Sequence, residues 1–313
     1  MKFILCIALF IIGNIVEAQE YRPAFLRFTS QQQQVTMAYI YEKAPGDSNQ
    51  TIVLLHGKNF SYRYWIKTIA LLLQQGYNVL APDQVGFGNS SIPLNYQYTY
   101  QQLAANTKLL IDTLGISRPV LLGHSMGGML AIRYTLLYPG AVSRLILEDP
   151  LGLEDWKRQG VPYTNIDDAY KAELKKDKAA LKTYMLNNYF HGEWKASYDT
   201  LLNESSLNLG RPAFAWGMAL TSDMIYTQPV VYELDLLQTP TTLIIGDKDR
   251  TAPGKEKLPA EQAEKLGNYP ELGRIAAALI PHCDLVVLEG IGHIPHEEDF
   301  GKWKEVLGAA LKQ

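Results

Sequence analysis

The chain has 313 residues, 47% of them hydrophobic and 19% charged, with a formal net charge of -3 at pH 7. These values belong to an ordinary globular protein and exclude a disordered or fibrous chain. The charge balance is near neutral and no dense block of Lys or Arg occurs, so nothing in the composition points to a nucleic-acid partner.

The first residues read as a targeting signal. Lys2 gives a positive end, Phe3 to Ile12 is almost purely apolar, and Val16-Glu17-Ala18 offers small side chains where a signal peptidase cuts. This predicts a signal peptide over 1–18, a mature start at Gln19 and an exported protein, periplasmic or secreted. The apolar run is broken by Gly13 and Asn14 and falls short of the roughly 20 residues a membrane span needs. No stable membrane insertion is expected; a retained N-terminal anchor is the alternative. Loss of Cys6 with the signal would leave Cys283 as the remaining cysteine, so no intramolecular disulfide is expected. Cys283, beside a predicted strand, reads as a small buried or half-buried residue.

Two extended segments follow, Ala24 to Thr29 and Val35 to Tyr41, separated by a short polar run from Gln31 to Gln34. They predict an antiparallel hairpin at a sheet edge, with Pro45 to Gln50 as a connector. Short apolar runs then recur at Ile52 to Leu55, Tyr77 to Ala81, Val120 to Leu122, Leu145 to Leu147, Thr242 to Ile245 and Leu285 to Leu288. Runs of that kind suit parallel strands buried on both faces. Helical stretches at Trp65 to Gln75, Thr99 to Leu114 and Met126 to Tyr138 lie between them, which predicts right-handed βαβ units.

The alternation stops between Leu147 and Thr241, over a stretch far longer than an ordinary connection. Tyr170, Leu174, Leu181 and Met185 recur at helical spacing, with Lys171, Glu173, Lys175 and Lys178 at the other positions, and Pro212 can open a further helix through Trp216 and Leu220. The expected organisation is an α/β core over 19–151 and 235–313, a mostly parallel eight-stranded doubly wound sheet, with a helical insertion over 152–234.

One motif carries chemistry. Gly123-His124-Ser125-Met126-Gly127-Gly128 follows a predicted strand and opens a predicted helix. A G-x-S-x-G turn in that setting lifts the serine hydroxyl out at the carboxyl end of a central strand, where ligands bind in open α/β sheets. Ser125 is therefore the candidate nucleophile. A serine needs a base, and His293 lies just past the last predicted strand in Gly290-Ile291-Gly292-His293, with His296 as its rival. His124 points away along the turn, His191 falls in the insertion and His282 before the last strand. The carboxylate that orients the base is expected at Asp249, past the strand Thr242 to Ile245, with Asp247 as alternative and Asp149 as an acid from another strand. The oxyanion donors are expected from the Met126 amide and from the loop His56-Gly57-Lys58-Asn59, with Lys58 as candidate and Asn59 as alternative. His56 reads as a residue that holds that loop, and the Lys58 side chain as exposed and solvated.

These motifs, with Pro82-Asp83-Gln84-Val85-Gly86-Phe87-Gly88-Asn89-Ser90 and Gly246-Asp247-Lys248-Asp249, resemble the α/β-hydrolase superfamily of the cap-bearing kind over essentially Ala24 to Leu311. The resemblance implies a serine hydrolase. It makes the turn at Gly86 to Gly88 structural, and it makes 152–234 a cap over the pocket. Ser125 argues against the branches of that family that use an aspartate nucleophile to open epoxides or displace halide. Trp156, Tyr184, Tyr189, Phe190, Trp194, Phe214, Trp216 and Tyr226 make the insertion aromatic, which fits either a lined pocket or the insertion's own packing.

The expected activity is hydrolysis of a small or medium apolar ester, a small-molecule substrate. An aminopeptidase, a lactonase, a carbon–carbon bond hydrolase or a slow ligand-binding relative of the same fold are the alternatives. Gly86-Phe87-Gly88 lacks the third glycine of a dinucleotide fingerprint and no metal-ligand spacing occurs, so no cofactor is implied. Oligomeric state stays open.

Overall fold

The computed structural model describes residues 21–46 and 50–312. The expected signal peptide over 1–18 and the mature start at Gln19 lie outside the described residues, as does most of the connector after Pro45.

Eight strands form one sheet. They are β1 (Ala24–Ser30), β2 (Gln33–Glu42), β3 (Thr51–Leu55), β4 (Asn78–Pro82), β5 (Val120–His124), β6 (Arg144–Glu148), β7 (Thr241–Gly246) and β8 (Cys283–Leu288). Their order is β1-β2-β4-β3-β5-β6-β7-β8. β2 runs antiparallel to both neighbours, and every pairing from β4 to β8 is parallel. The edge hairpin forms as the alternating pattern predicts. Its turn is only Gln31 and Gln32, both with positive φ, so Gln33 and Gln34 belong to β2.

The parallel strands are buried on both faces because helices cover both. Along β3, Val53 and Leu55 enter one core layer, while Ile52 and Leu54 enter the other; along β5, Leu121 and its neighbours Val120 and Leu122 divide the same way. That is the two-residue side-chain period of a strand. The first layer is completed by α2 (Tyr100–Thr113), α3 (Met126–Leu137) and α9 (Tyr269–Leu279); the second by α1 (Ile66–Gln74) and α11 (Phe300–Ala310).

Between β6 and β7 stand four helices, α4 (Ile166–Lys175), α5 (Lys178–Asn188), α6 (Tyr198–Ser206) and α7 (Pro212–Thr227). The helical spacing from Tyr170 to Met185 is not one helix. Lys176 is extended, and the Asp177 carboxylate accepts the Ala180 N–H at 2.7 Å, which starts α5 afresh. Pro212 opens α7 at a position where its missing N–H costs nothing. After β7 come α8 (Ala260–Ala263), α9, α10 (Pro295–Glu298) and α11, none of which the apolar runs announce. Among the described residues no helix is long and apolar enough to cross a membrane. Cys283 is half-buried, and burial pushes its thiol up to about 11.

The parallel arrangement gathers the carboxyl ends of β3, β5, β6, β7 and β8 along one edge. The loops that leave those ends carry His56 to Asn59, Ser125, Asp149, Asp249 and His293.

Candidate active site

The backbone turns sharply from β5 into α3 at Ser125, whose φ of 56° and ψ of -119° lie in a sparsely populated region. Such a conformation costs about 1–3 kcal/mol and needs surrounding structure to hold it. Here the Ser125 N–H donates to the Glu148 carbonyl at 3.1 Å, and the Ser125 carbonyl accepts from Gly128 at 2.9 Å and Leu151 at 3.1 Å. The flanking glycines have a steric cause. A Cβ on Gly123 would run into the Gly127 carbonyl, and one on Gly127 into the Leu55 carbonyl.

His293 faces this turn from the loop after β8. Its Nδ1 donates to Asp249 Oδ2 at 2.6 Å, and its Nε2 accepts from Ser125 Oγ at 2.9 Å. A carboxylate only accepts, so the Nδ1 proton is fixed and the Nε2 lone pair is left for the serine. The other Asp249 oxygen accepts the Thr251 N–H at 2.7 Å. All three side chains are buried, and the Tyr189 ring stacks on His293 with centroids 5.0 Å apart. The arrangement is able to take a proton from Ser125 and stabilise the imidazolium that results.

The loop after β3 borders the same point. A Cβ on Gly57 would come within 3.2 Å of Ser125 Cβ. His56 closes this loop: Nδ1 donates to the Gly57 carbonyl at 2.9 Å and Nε2 accepts the Gln84 N–H at 3.0 Å. Asn59 takes a positive φ of 74°, which asparagine tolerates. Met126 is the first residue of α3, so its amide is one of the four that a helix leaves without an internal partner.

The remaining sequence candidates go elsewhere. His296 donates from Nδ1 to Glu148 at 2.8 Å and stacks on Trp65, while the serine hydroxyl is bonded to His293. Asp247 accepts the Gly290 N–H at 2.7 Å. Asp149 is buried and accepts the Gly246 N–H at 3.0 Å; burial, and then the nearby Asp249 charge, hold its carboxyl well above the usual range. His191 faces Glu298 at 3.4 Å, and the His282 carbonyl accepts the Thr241 N–H at the opposite edge of the sheet. In the turn after β4, the Asp83 carboxylate accepts the N–H groups of Tyr62 at 2.7 Å and Asn89 at 2.8 Å.

A cavity of about 230 Å³ opens on Ser125. Its lining includes Lys58, Asn59, Leu151, Glu173, Lys176, Leu181, Tyr184, Tyr189 and Ile225. Of the eight aromatic residues singled out in the insertion, Tyr184 and Tyr189 line this cavity. Trp156 and Phe190 are buried in packing, and Phe214 lines a separate crevice beside Arg63 and Arg211. One expectation fails here. The Lys58 side chain is not solvated: it is largely buried and lies 3.5 Å from Glu173. Glu173, one of the positions of α4 off the apolar stripe, faces the cavity between Lys58 and Lys176. The polar positions of an amphipathic helix look the same in sequence whether they meet water or a polar pocket. Among the described residues no group of His, Cys, Asp or Glu is arranged to hold a metal ion.

Residues 50–300 match the family described as alpha/beta hydrolase fold, and the chain belongs to that family. It is a hydrolase by fold and by its relatives. It is 31% identical over 207 residues to the AB hydrolase superfamily protein YisY of Bacillus subtilis (strain 168), covering 64% of this chain and 75% of that protein. The crystal structure of a probable hydrolytic enzyme from Pseudomonas aeruginosa PAO1 superposes with a TM-score of 0.91 at 47% identity, covering 94% of this chain and 95% of the other. An esterase from Exiguobacterium antarcticum shares the fold, with a TM-score of 0.73 at 21% identity over 89% of this chain and 96% of the other.

Proposed function

We propose that the protein is a serine hydrolase that cleaves small carboxylic esters through an acyl-enzyme. Ser125 attacks the carbonyl, His293 takes its proton and passes it to the leaving alcohol, and a water deprotonated by His293 then releases the acyl group as the acid and restores Ser125. Asp249 orients the imidazole, and the Lys58 and Met126 amides hold the oxyanion. The observation that carries this reading is the hydrogen-bonded run from Asp249 through His293 to Ser125, facing a cavity. Helices α4 to α7 act as the cap over that cavity. The lining is mixed: Leu151, Leu181 and Ile225 suit a short aliphatic group, while Lys58, Glu173 and Lys176 do not suit a purely apolar one. Export, read from residues 1–18, belongs to the same proposal, and N-terminal sequencing of the natural product would test it.

The test is turnover of p-nitrophenyl acetate and butyrate by the parent and by Ser125→Ala, with fluorophosphonate labelling and peptide mapping. The expected loss of kcat in the variant is about a million-fold, the scale on which a serine triad loses its nucleophile. Equal activity of variant and parent, or labelling at another residue, would remove the reading.

A further inference from the structure

Charge is unevenly satisfied inside the cavity on Ser125. Lys176 Nζ reaches both oxygens of Glu173 at 2.7 Å. Lys58 Nζ stands 3.5 Å from one of those same oxygens. Two ammonium groups therefore share one carboxylate, and Lys176 holds the better geometry. An ammonium has three donors, and among the described residues Glu173 is the acidic partner of Lys58. Glu256, the other acidic residue on the cavity wall, is exposed at its rim.

Burial alone would raise the Glu173 carboxyl, but Lys58 and Lys176 outweigh it and hold the group below its ordinary value, so Glu173 stays charged and engaged. Burial acts on Lys58 in the opposite direction and lowers it, Glu173 opposing. An ammonium in that position is short of acceptors and gains from any anion that joins it. A carboxylate supplies two further oxygens, whereas a substrate cation would find Glu173 already occupied.

Resting on the serine-hydrolase reading, we infer that the Lys58 ammonium is an anion subsite, and that the substrate is a small ester carrying a carboxylate near its scissile bond. The cavity of about 230 Å³ is small and suits a short chain. The aliphatic wall from Leu151, Leu181 and Ile225 takes the carbon chain, and Lys58 takes its charged end. A neutral ester of equal length leaves the buried ammonium with only its 3.5 Å contact to the shared Glu173 carboxylate, and that shortfall is the source of discrimination.

The experiment compares matched pairs by alcohol release followed in NMR: monoethyl succinate against ethyl valerate for a carboxylate on the acyl side, and 2-carboxyethyl acetate against butyl acetate for one on the alcohol side. For one pair, kcat/KM of the carboxylate ester should exceed that of the neutral ester by about tenfold, the scale of one charge-assisted hydrogen bond. Lys58→Met should erase the ratio and Lys58→Arg keep it. Glu173→Gln, which removes the competing carboxylate, should raise it. Fluorophosphonate labelling of Ser125 in every variant reports the nucleophile independently of the subsite. If labelling persists but neutral esters are turned over at least as fast in both pairs, or the ratio survives Lys58→Met, the anion subsite is overturned and the hydrolase reading stands. If Ser125 is not labelled in the parent, both fall.

Discussion

The His124 imidazole donates from Nε2 to the main-chain oxygen of His293 at 2.7 Å, so the residue before the serine holds the backbone of the base. A carbonyl only accepts, which puts the His124 proton on Nε2 and leaves Nδ1 bare. Tyr64 fills that place: its hydroxyl donates to Nδ1 at 3.2 Å and accepts the Gly57 N–H at 2.8 Å. One chain of hydrogen bonds thus runs from the loop after β3, past Ser125, to the loop after β8. Burial keeps His124 well below its ordinary pKa, His293 and His296 adding to the effect, and the neutral ring is the form this chain requires.

His124→Phe breaks both links while filling similar space. The expected result is a fall in kcat of about tenfold to a hundredfold with KM little changed, because a small misplacement of the base costs that much. Tyr64→Phe leaves the buried Gly57 N–H without its acceptor, and should cost about 1–3 kcal/mol of stability in urea unfolding. Unchanged kcat in His124→Phe would show that the base needs no such support.

Two buried aspartates stand near the base, and they should separate cleanly. Asp249→Asn should lower kcat by about 10⁴, since an amide disturbs the tautomer of His293. Asp149→Asn keeps an oxygen for the Gly246 N–H and should lower kcat by less than about tenfold, the scale of a lost minor contact. Its effect belongs to stability. The folded-state pKa of Asp149 is raised, so its contribution is fully present below the unfolded value and is lost as pH rises through the folded one. Tm of the parent should therefore decline toward alkaline pH more steeply than Tm of the variant.

Much of this arrangement is legible in the chain because it rests on local rules. Buried strands show as apolar runs, and the turn at Ser125 needs glycine two residues to each side. The pairing of Lys58 with Glu173 is not legible, because it joins residues far apart in sequence through the packing of α4 over the sheet edge. The helices after β7 escape for another reason. In α11, Trp303, Leu307 and Ala310 do recur at helical spacing behind an Asp299 cap, but the segment is short and only these three of its residues are buried. The split at Asp177 turns on a single side-chain cap, which a hydrophobic period cannot register.

Glu298 offers a direct test of how the base loop is held. Its buried carboxylate accepts the Gly292 N–H at 3.0 Å and faces the Ile294 N–H at 3.4 Å, the two amides that flank His293. Glu298→Ala orphans both, so kcat should fall by about tenfold or more and Tm should drop, as expected when buried donors lose their acceptor. Glu298→Gln retains an acceptor oxygen and should recover most of the rate. If Ala and Gln behave alike, the carboxylate does not position the loop.

His56 contributes to the acid sensitivity of the fold. Burial pushes its pKa down to about 4 from an ordinary 6.5, the Gly57 carbonyl opposing. Both ring nitrogens are already used, one donating to Gly57 and one accepting from Gln84, so a second proton would break the Gln84 bond. Between those two pKa values the unfolded chain binds a proton that the folded chain refuses. Stability therefore falls as pH drops from 6.5 toward 4, by roughly 3 kcal/mol for this residue. His124, lowered by burial in the same way, adds to the slope. His56→Gln supplies an acceptor and a donor but no titrating ring. Urea unfolding across pH 4.5 to 7 should show a shallower dependence for the variant than for the parent, even if the variant is less stable at neutral pH. An identical slope would mean that His56 accepts its proton without breaking the loop.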